Sequence, residues 1–313
     1  MAERIVLTGG SGLIGRALTQ ELAREGREVV VASRAPGRVA GLPAGARAIG
    51  WEELSAAVDG AAAVVNLAGE PIAGGRWTEE RKRRIVESRR RAADACLAAL
   101  AAARRRPPAL LQASAVGYYG ARGDEELAED SPRGEGFLAE TTAAWEAASA
   151  GAEALGVRRV LLRTGVVLDP RGGALAKMLP PFRLGLGGPL GSGRQWMPWI
   201  HRDDQVAAIR FLLDRADLGG PFLLVAPAPV RNREFGRALG RALARPALLP
   251  APALALRLLF GEMAEVVLGG QRARPGRLLA AGFAFRFPEL DGALTDLLGR
   301  GRTGAPAGRG PAA

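Results

Sequence analysis

Soft, nucleophilic and acid–base side chains are scarce in this chain. Its 313 residues include one cysteine, Cys96, one histidine, His201, and two tyrosines, Tyr118 and Tyr119. Lysine occurs only at Lys82 and Lys177, so 43 basic residues less two leaves 41 arginines. A single cysteine excludes an internal disulfide, and with a single histidine it leaves no soft-metal ligand set, so no metal is expected. Cys96 lies on the apolar side of a helical pattern and reads as core. Such cysteine usage suits a reducing, cytoplasmic location. Long apolar runs are missing too. Met1-Ala2-Glu3-Arg4 lacks a signal core, and Leu248 to Leu259 is broken by Pro250, Pro252 and Arg257. Neither a secretory signal nor a membrane span nor a membrane partner is expected.

Acidic residues are the minority, 32 against 43 basic, which gives a net charge of +11. The basic clusters at 81–84, 89–91 and 104–106 fall on or just after one helical segment. A solvated helix face explains them, and no nucleic-acid motif or aromatic interleaving accompanies them. Nucleic-acid binding therefore ranks third among the readings. The sequence leaves the oligomeric state open.

What is present begins at the N-terminus. Ile5-Val6-Leu7 is an apolar strand pattern, Thr8-Gly9-Gly10-Ser11-Gly12-Leu13-Ile14-Gly15 a glycine-rich turn, and Ala17 to Glu25 an amphipathic helix. Strand, turn and helix in this order seat a dinucleotide. Gly9 permits the turn, Gly12 lets backbone approach a pyrophosphate, and Gly15 lets helix and strand pack closely. The phosphates then meet free amides at the positive end of the helix. Glu28 to Arg34 reads as the second strand. An NAD site carries Asp or Glu near its end, about 20 residues past the glycines. Here Ser33-Arg34 stands there, and both can bond a 2′-phosphate, Arg34 in forked geometry. NADP(H) is thus favoured over NAD(H).

Strands and helices continue to alternate. Further strands are expected at 47–50, 62–67, 109–114 and 159–163, with helices at 51–58, 79–103 and 138–155. A polar, acidic loop covers 122–135. After residue 168 the rhythm changes to Gly- and Pro-rich loops around helices near 175–182 and 204–213, a short strand at 223–225, and a helix to Ala244 capped by Asn232.

These motifs resemble the extended short-chain dehydrogenase/reductases. The resemblance rests on the glycine turn with Asn66-Leu67-Ala68-Gly69, Ser114-Ala115-Val116-Gly117-Tyr118-Tyr119-Gly120 and Trp199-Ile200-His201-Arg202-Asp203-Asp204. More narrowly the chain resembles an atypical branch, the NAD(P)-dependent epimerase-like family of the 39U type. Arg163-Thr164-Gly165-Val166-Val167-Leu168, Pro181 to Pro189, and Gly269-Gly270-Gln271-Arg272 with Phe287-Pro288-Glu289-Leu290 carry that likeness. It spans about residues 4 to 298. It implies an α/β fold, a Rossmann-like doubly wound parallel sheet with a smaller C-terminal substrate lobe. The implied division is 1–168 for the dinucleotide domain, re-entered around 196–226, and 169–300 for the substrate lobe. A family-specific C-terminal domain starts about residue 247, and a disordered tail covers 301–313.

The resemblance places Gly9, Ser11, Gly12, Leu13 and Ile14 on the phosphate turn, and Ser33 and Arg34 at the 2′-phosphate. Leu67, Ala68 and Gly69 follow the fourth strand, and Glu70 lines the same crevice. Arg89 matches a cofactor contact. The usual chemistry needs Tyr-x-x-x-Lys on a helix, where the ammonium lowers the phenol and the phenol moves a proton. This chain cannot hold it. Four residues after Tyr118 and Tyr119 stand Arg122 and Gly123, and the aligned helix carries Leu138 and Thr142. The remaining candidates are Ser114, to bond a substrate carbonyl, Tyr118, to donate a proton beside Arg122, and His201. Arg194, Gln195 and Trp199 read as contacts to a small-molecule substrate. Two functions stand: an NADP(H)-binding oxidoreductase or epimerase-like enzyme on a small carbonyl or hydroxyl compound, or a non-catalytic NADP(H) sensor or scaffold.

Overall fold

Val6 and Leu7 point to opposite sides of one strand, and each side is dry. Leu7 packs with Val29, Val31, Leu18 and Leu22, whereas Val6 packs with Val30, Val64, Cys96 and Leu100. A strand buried on both faces belongs to a parallel sheet covered by helices on each side. A computed structural model describing residues 2–299 shows such a sheet. The expected tail at 301–313 lies outside the described residues.

The chain opens with β1 (Arg4–Thr8), α1 (Leu13–Arg24), β2 (Glu28–Ala32), β3 (Ala46–Ile49), α2 (Leu54–Val58), β4 (Ala63–Asn66) and α3 (Glu79–Ala102). It continues through β5 (Ala109–Ala115), β6 (Glu126–Leu127), α4 (Phe137–Ala148), α5 (Gly151–Ala154), β7 (Arg158–Thr164) and β8 (Val166–Leu168). Then come α6 (Gly173–Arg183), β9 (Trp196–Met197), β10 (Trp199–His201), α7 (Arg202–Asp214), β11 (Gly220–Leu224) and β12 (Val230–Arg231). The remainder is α8 (Asn232–Leu243), α9 (Ala253–Phe260), α10 (Glu265–Leu268), β13 (Arg272–Ala273), α11 (Gly276–Ala280) and α12 (Leu290–Gly299). The main sheet has seven parallel strands in the order β11-β7-β5-β4-β1-β2-β3. The chain turns outward in both directions from the β1/β4 pair. A doubly wound sheet opens its ligand crevice at this switch point, beyond the strand C-termini.

A second core joins α6, α8 and α12 through Leu179, Phe182, Phe235, Leu239, Leu294 and Leu297. The stretch between these elements goes back to the first core, where α7 and β11 contribute Ile209, Leu212 and Phe222. The C-terminal segment also turns back, and β13 pairs with β6 inside the acidic loop expected at 122–135.

Two local expectations need correction. The helix expected over 138–155 is two helices, α4 and α5. The Glu146 carbonyl near the break accepts from Ser149 Oγ at 2.9 Å and from Arg159 at 3.0 Å. Side chains therefore compete there for an acceptor the helix would use. Asn232 does not cap α8. Its Oδ1 accepts from the Leu190 amide at 2.8 Å, and Glu234 instead reaches back to the Arg231 amide at 2.7 Å.

Candidate functional site

The glycine turn leads from β1 into α1 at the switch point. Gly9 has φ +72°, and a Cβ there would lie 2.6 Å from the Leu67 carbonyl carbon. The turn and the segment leaving β4 thus touch backbone to backbone. At Gly15 a Cβ would lie 2.4 Å from the Gly9 oxygen, so α1 packs directly on the turn. Gly12 caps α1 without a side chain, which leaves the first amides of the helix for a ligand.

These elements border a cleft of about 820 Å³. Gly9, Ser11 and Gly12 form one wall, Ser33 and Arg34 the end beyond β2, and Leu67, Ala68, Gly69 and Glu70 the opposite rim. The backbone cradle, the open helix end and the cationic wall fit a dinucleotide phosphate chain. Leu13 and Ile14 lie in the first turn of α1 and are not among the residues bordering the cleft. Ser33 Oγ accepts from the Ala35 amide at 3.2 Å, which shapes the turn carrying Arg34. Arg38 and Arg91 also line the cleft and were not singled out from sequence. Their signal, arginine after the second strand and on the long helix, was lost among the 41 arginines of the chain.

The rim has a buried foundation that the sequence reading missed. Thr8 Oγ1 donates to Asn66 Oδ1 at 2.5 Å, and Asn66 Nδ2 donates to Gln112 at 2.9 Å. Asn66 Oδ1 also accepts from the Ala68 amide at 3.2 Å. One amide side chain therefore ties β1, β4 and β5 and sets the path of Leu67-Ala68. Polar residues ending otherwise apolar strands were the available signal. Arg89 sits behind this rim, donating to the Glu70 carbonyl at 3.0 Å and the Ile85 carbonyl at 2.9 Å. Its guanidinium lies 4.7 Å from the Trp145 ring centre. Burial lowers it to about 10, so it stays charged at neutral pH.

Gly117 packs against Leu138 and Thr142, at 3.3 and 3.6 Å from its would-be Cβ. Those two positions, where the dyad would stand, thus face the Tyr118 loop. Leu138 offers no proton, and the Thr142 hydroxyl bonds back to the Leu138 carbonyl at 2.7 Å. Ser114 is buried and donates to Glu146 at 2.5 Å. A serine hydroxyl has one proton, so in this arrangement Ser114 cannot also donate to a substrate carbonyl. Glu146 is bridged by Arg163 at 2.8 and 2.9 Å. Arg163, not Arg122, faces Tyr118, with its guanidinium carbon 3.6 Å from the ring centre. Arg122 is paired with Glu125 at 2.7 Å.

A second cleft of about 960 Å³ lies between this loop and the C-terminal elements. Leu138, Arg122, Arg133, Arg257, Glu265 and Gln271 are among the residues bordering it. Gln195 instead donates to the Leu190 and Val267 carbonyls, and Trp199 is buried. Arg194 donates its backbone amide to Ser192.

His201 borders neither cleft. It is fully buried and stacks on Phe287 at 3.9 Å between ring centres. Its Nδ1 accepts from the Asp203 amide at 3.0 Å, and Nε2 lies 3.3 Å from Asp296 of α12. Burial holds it below its ordinary 6.5. The folded state thus keeps His201 neutral where an unfolded chain takes a proton. Its contribution is complete above the unfolded value and declines as pH falls below it. A melting series run downward from neutrality should show this slope, and His201→Gln should flatten it. An unchanged slope in the variant assigns it to other groups.

Residues 5–224 match the model of the NAD dependent epimerase/dehydratase family, and residues 251–297 match a domain of unknown function, DUF1731. The chain is similar to mouse epimerase family protein SDR39U1, 41% identical over 94% of this chain and 99% of that one. Epimerase family protein MT2273 of Mycobacterium tuberculosis is 43% identical, over 94% of this chain and 97% of its own. Among solved structures, human epimerase family protein SDR39U1 with NADPH superposes at a TM-score of 0.87. It is 39% identical and covers 95% of this chain and 99% of that one.

Proposed function

The chain belongs to the NAD dependent epimerase/dehydratase family, and from that membership we propose that it is an NADP(H)-binding oxidoreductase acting on a small carbonyl or hydroxyl compound. The observation that carries this reading is the cleft at the β1/β4 switch point, where an uncapped helix end meets Ser33 and Arg34. The NADPH held by the human relative supports the phosphorylated cofactor. So does the absence of a carboxylate partner for Arg34 and Arg38 among the described residues. When bound, NADPH supplies a hydride. The protein's own part is to hold the cofactor, exclude water and deliver a proton. Tyr118 is our candidate for the last task, because its ring is pinned on Arg163 and its neighbour Gly117 packs on Leu138, which borders the second cleft. That cleft is our candidate for substrate entry. A single cysteine, Cys96, buried and unpaired, suits the cytoplasm.

Arg34→Ala tests the cofactor half. Losing a charge-assisted bond at an exposed site should weaken NADPH about tenfold and leave NADH nearly unchanged. Equilibrium titration of both nucleotides reads this directly. Wild-type preference for NADH overturns it.

Leu138 and Thr142 at the dyad positions, with the Ser114 proton held by Glu146, favour a second reading, a non-catalytic NADP(H) sensor. The two separate in one assay. NADPH oxidation is followed with a panel of aldehydes, ketones and quinones, for wild type and Tyr118→Phe. Turnover that falls in Tyr118→Phe supports the enzyme. Tight binding without turnover across the panel supports the sensor.

A further inference from the structure

The largest uncovered apolar surface lies far along the chain from the glycine turn, at the start of the C-terminal domain. On α9, Leu254, Leu258 and Leu259 face outward while Leu256 is buried. Leu184, Leu186 and Leu248 lie on the two segments that lead up to α9, and all six are between 58% and 80% exposed. The segments are locked together. The Leu249 amide donates to the Gly187 carbonyl at 3.2 Å, the Ala251 amide to the Pro189 carbonyl at 2.9 Å, and Arg245 to the Arg183 carbonyl at 3.1 Å. A Cβ on Gly191 would lie 3.6 Å from that of Ala253 in the first turn of α9. A patch of this kind on a folded chain marks a contact surface.

Charge says what it contacts. Residues 170–202 and 235–261, which build the face, contain no Asp or Glu. Arg183 and Arg245 are exposed on it, and neither has a carboxylate partner among the described residues. The flanking acids are engaged elsewhere, Glu234 with the Arg231 amide and Glu262 with Lys82. A second copy docking symmetrically would set these arginines against each other with no acid to pair them. Exposed leucines with unpaired arginines on the same segments fit instead a layer with apolar chains below and phosphates above. The same proline breaks at Pro250 and Pro252 that forbid a crossing leave a short helix able to lie flat. Among the described residues no helix is long and apolar enough to cross a membrane.

We propose that the face formed by α9 and the adjoining 183–186 and 245–249 segments docks this protein on an anionic lipid surface. The leucines enter the headgroup boundary, and Arg183 and Arg245 meet the lipid phosphates.

The test floats the full chain with vesicles of phosphatidylcholine and phosphatidylglycerol, and separately with phosphatidylcholine alone. Wild type should float with the mixed vesicles and lose this association as salt rises. The double variant Leu254→Glu/Leu258→Glu should lower the bound fraction about tenfold or more, since a carboxylate in place of each leucine removes its apolar burial and repels the anionic lipid. Its NADPH affinity should not change, because neither residue borders the cofactor cleft, and that titration also verifies folding. Arg183→Gln/Arg245→Gln, with α9 intact, should weaken flotation on mixed vesicles only. Three results overturn the proposal: no flotation, equal flotation on phosphatidylcholine alone, or a wild-type dimer that Leu258→Glu dissolves.

Discussion

Gly9→Ala is expected to lower NADPH affinity about 100-fold or more, a loss of about 2.7 kcal/mol. The alanine methyl would arrive 2.6 Å from the Leu67 carbonyl carbon, 2.7 Å from its oxygen and 2.8 Å from the Ala68 nitrogen. All three are backbone atoms, so no rotamer change relieves the clash. The residue also sits at φ +72°, which costs an L-residue roughly 1–2 kcal/mol. β1 and β4 are fixed by their ladder, Leu7 beside Val65 and Thr8 beside Asn66. Relief must therefore come from the turn or from the 67–70 segment, and these are the two rims of the cofactor cleft. Gly12→Ala separates binding from folding. Its φ is −75°, and a Cβ there meets only the Gly9 oxygen at 3.3 Å. That variant should melt close to wild type yet bind NADPH poorly, whereas Gly9→Ala should lose both. Nucleotide titration beside thermal melting checks the pair. Wild-type binding by Gly9→Ala would remove the turn as the cofactor's seat.

The cofactor cleft was legible because its parts are adjacent in sequence. Strand, glycine turn and helix occupy residues 4–24, and each glycine answers a local steric demand. The central strands were legible for a related reason. Runs such as Val29-Val30-Val31 and Val64-Val65 are buried on both faces and admit no polar break. What stayed hidden depends on residues far apart. Ser114, Glu146 and Arg163 stand on β5, α4 and β7, and no periodicity links them. Alone, Arg163 reads as one more charge at a strand end. Register then decides its fate, since β5 and β7 set Ser114 beside Arg163. The neighbour of Tyr118 was missed in the same way. Sequence proximity suggested Arg122, but Glu125 is three residues from it and takes its charge. The apolar face of α9 was concealed by its prolines, which were read as excluding a span and not as exposing a helix.

Arg163→Met is expected to destabilise the protein by about 3–5 kcal/mol, because it leaves a buried carboxylate without its cation. The Arg163 and Glu146 side chains are only 5% and 10% exposed. The pair is bidentate, Nε to Oε1 at 2.8 Å and Nη2 to Oε2 at 2.9 Å. Nη1 adds bonds to the Tyr119 hydroxyl at 2.8 Å and the Glu129 carbonyl at 2.9 Å. Burial pushes Tyr119 up to about 12, so it remains a neutral phenol that accepts from the guanidinium. Removing Arg163 leaves Glu146 with the Ser114 proton alone. Arg163→Lys keeps the charge but not the fork, and should lose about half as much. The double variant Arg163→Met/Glu146→Gln removes both charges and should recover much of the stability, since desolvating a pair offsets most of its attraction. It also unpins the Tyr118 ring, which lies on the guanidinium face. Recovered melting with unrecovered NADPH oxidation would therefore separate the charge balance of the core from the placement of Tyr118. If the double variant melts as low as Arg163→Met, the loss lies in the bonds to Tyr119 and Glu129, and charge pairing is not what holds β7 to α4.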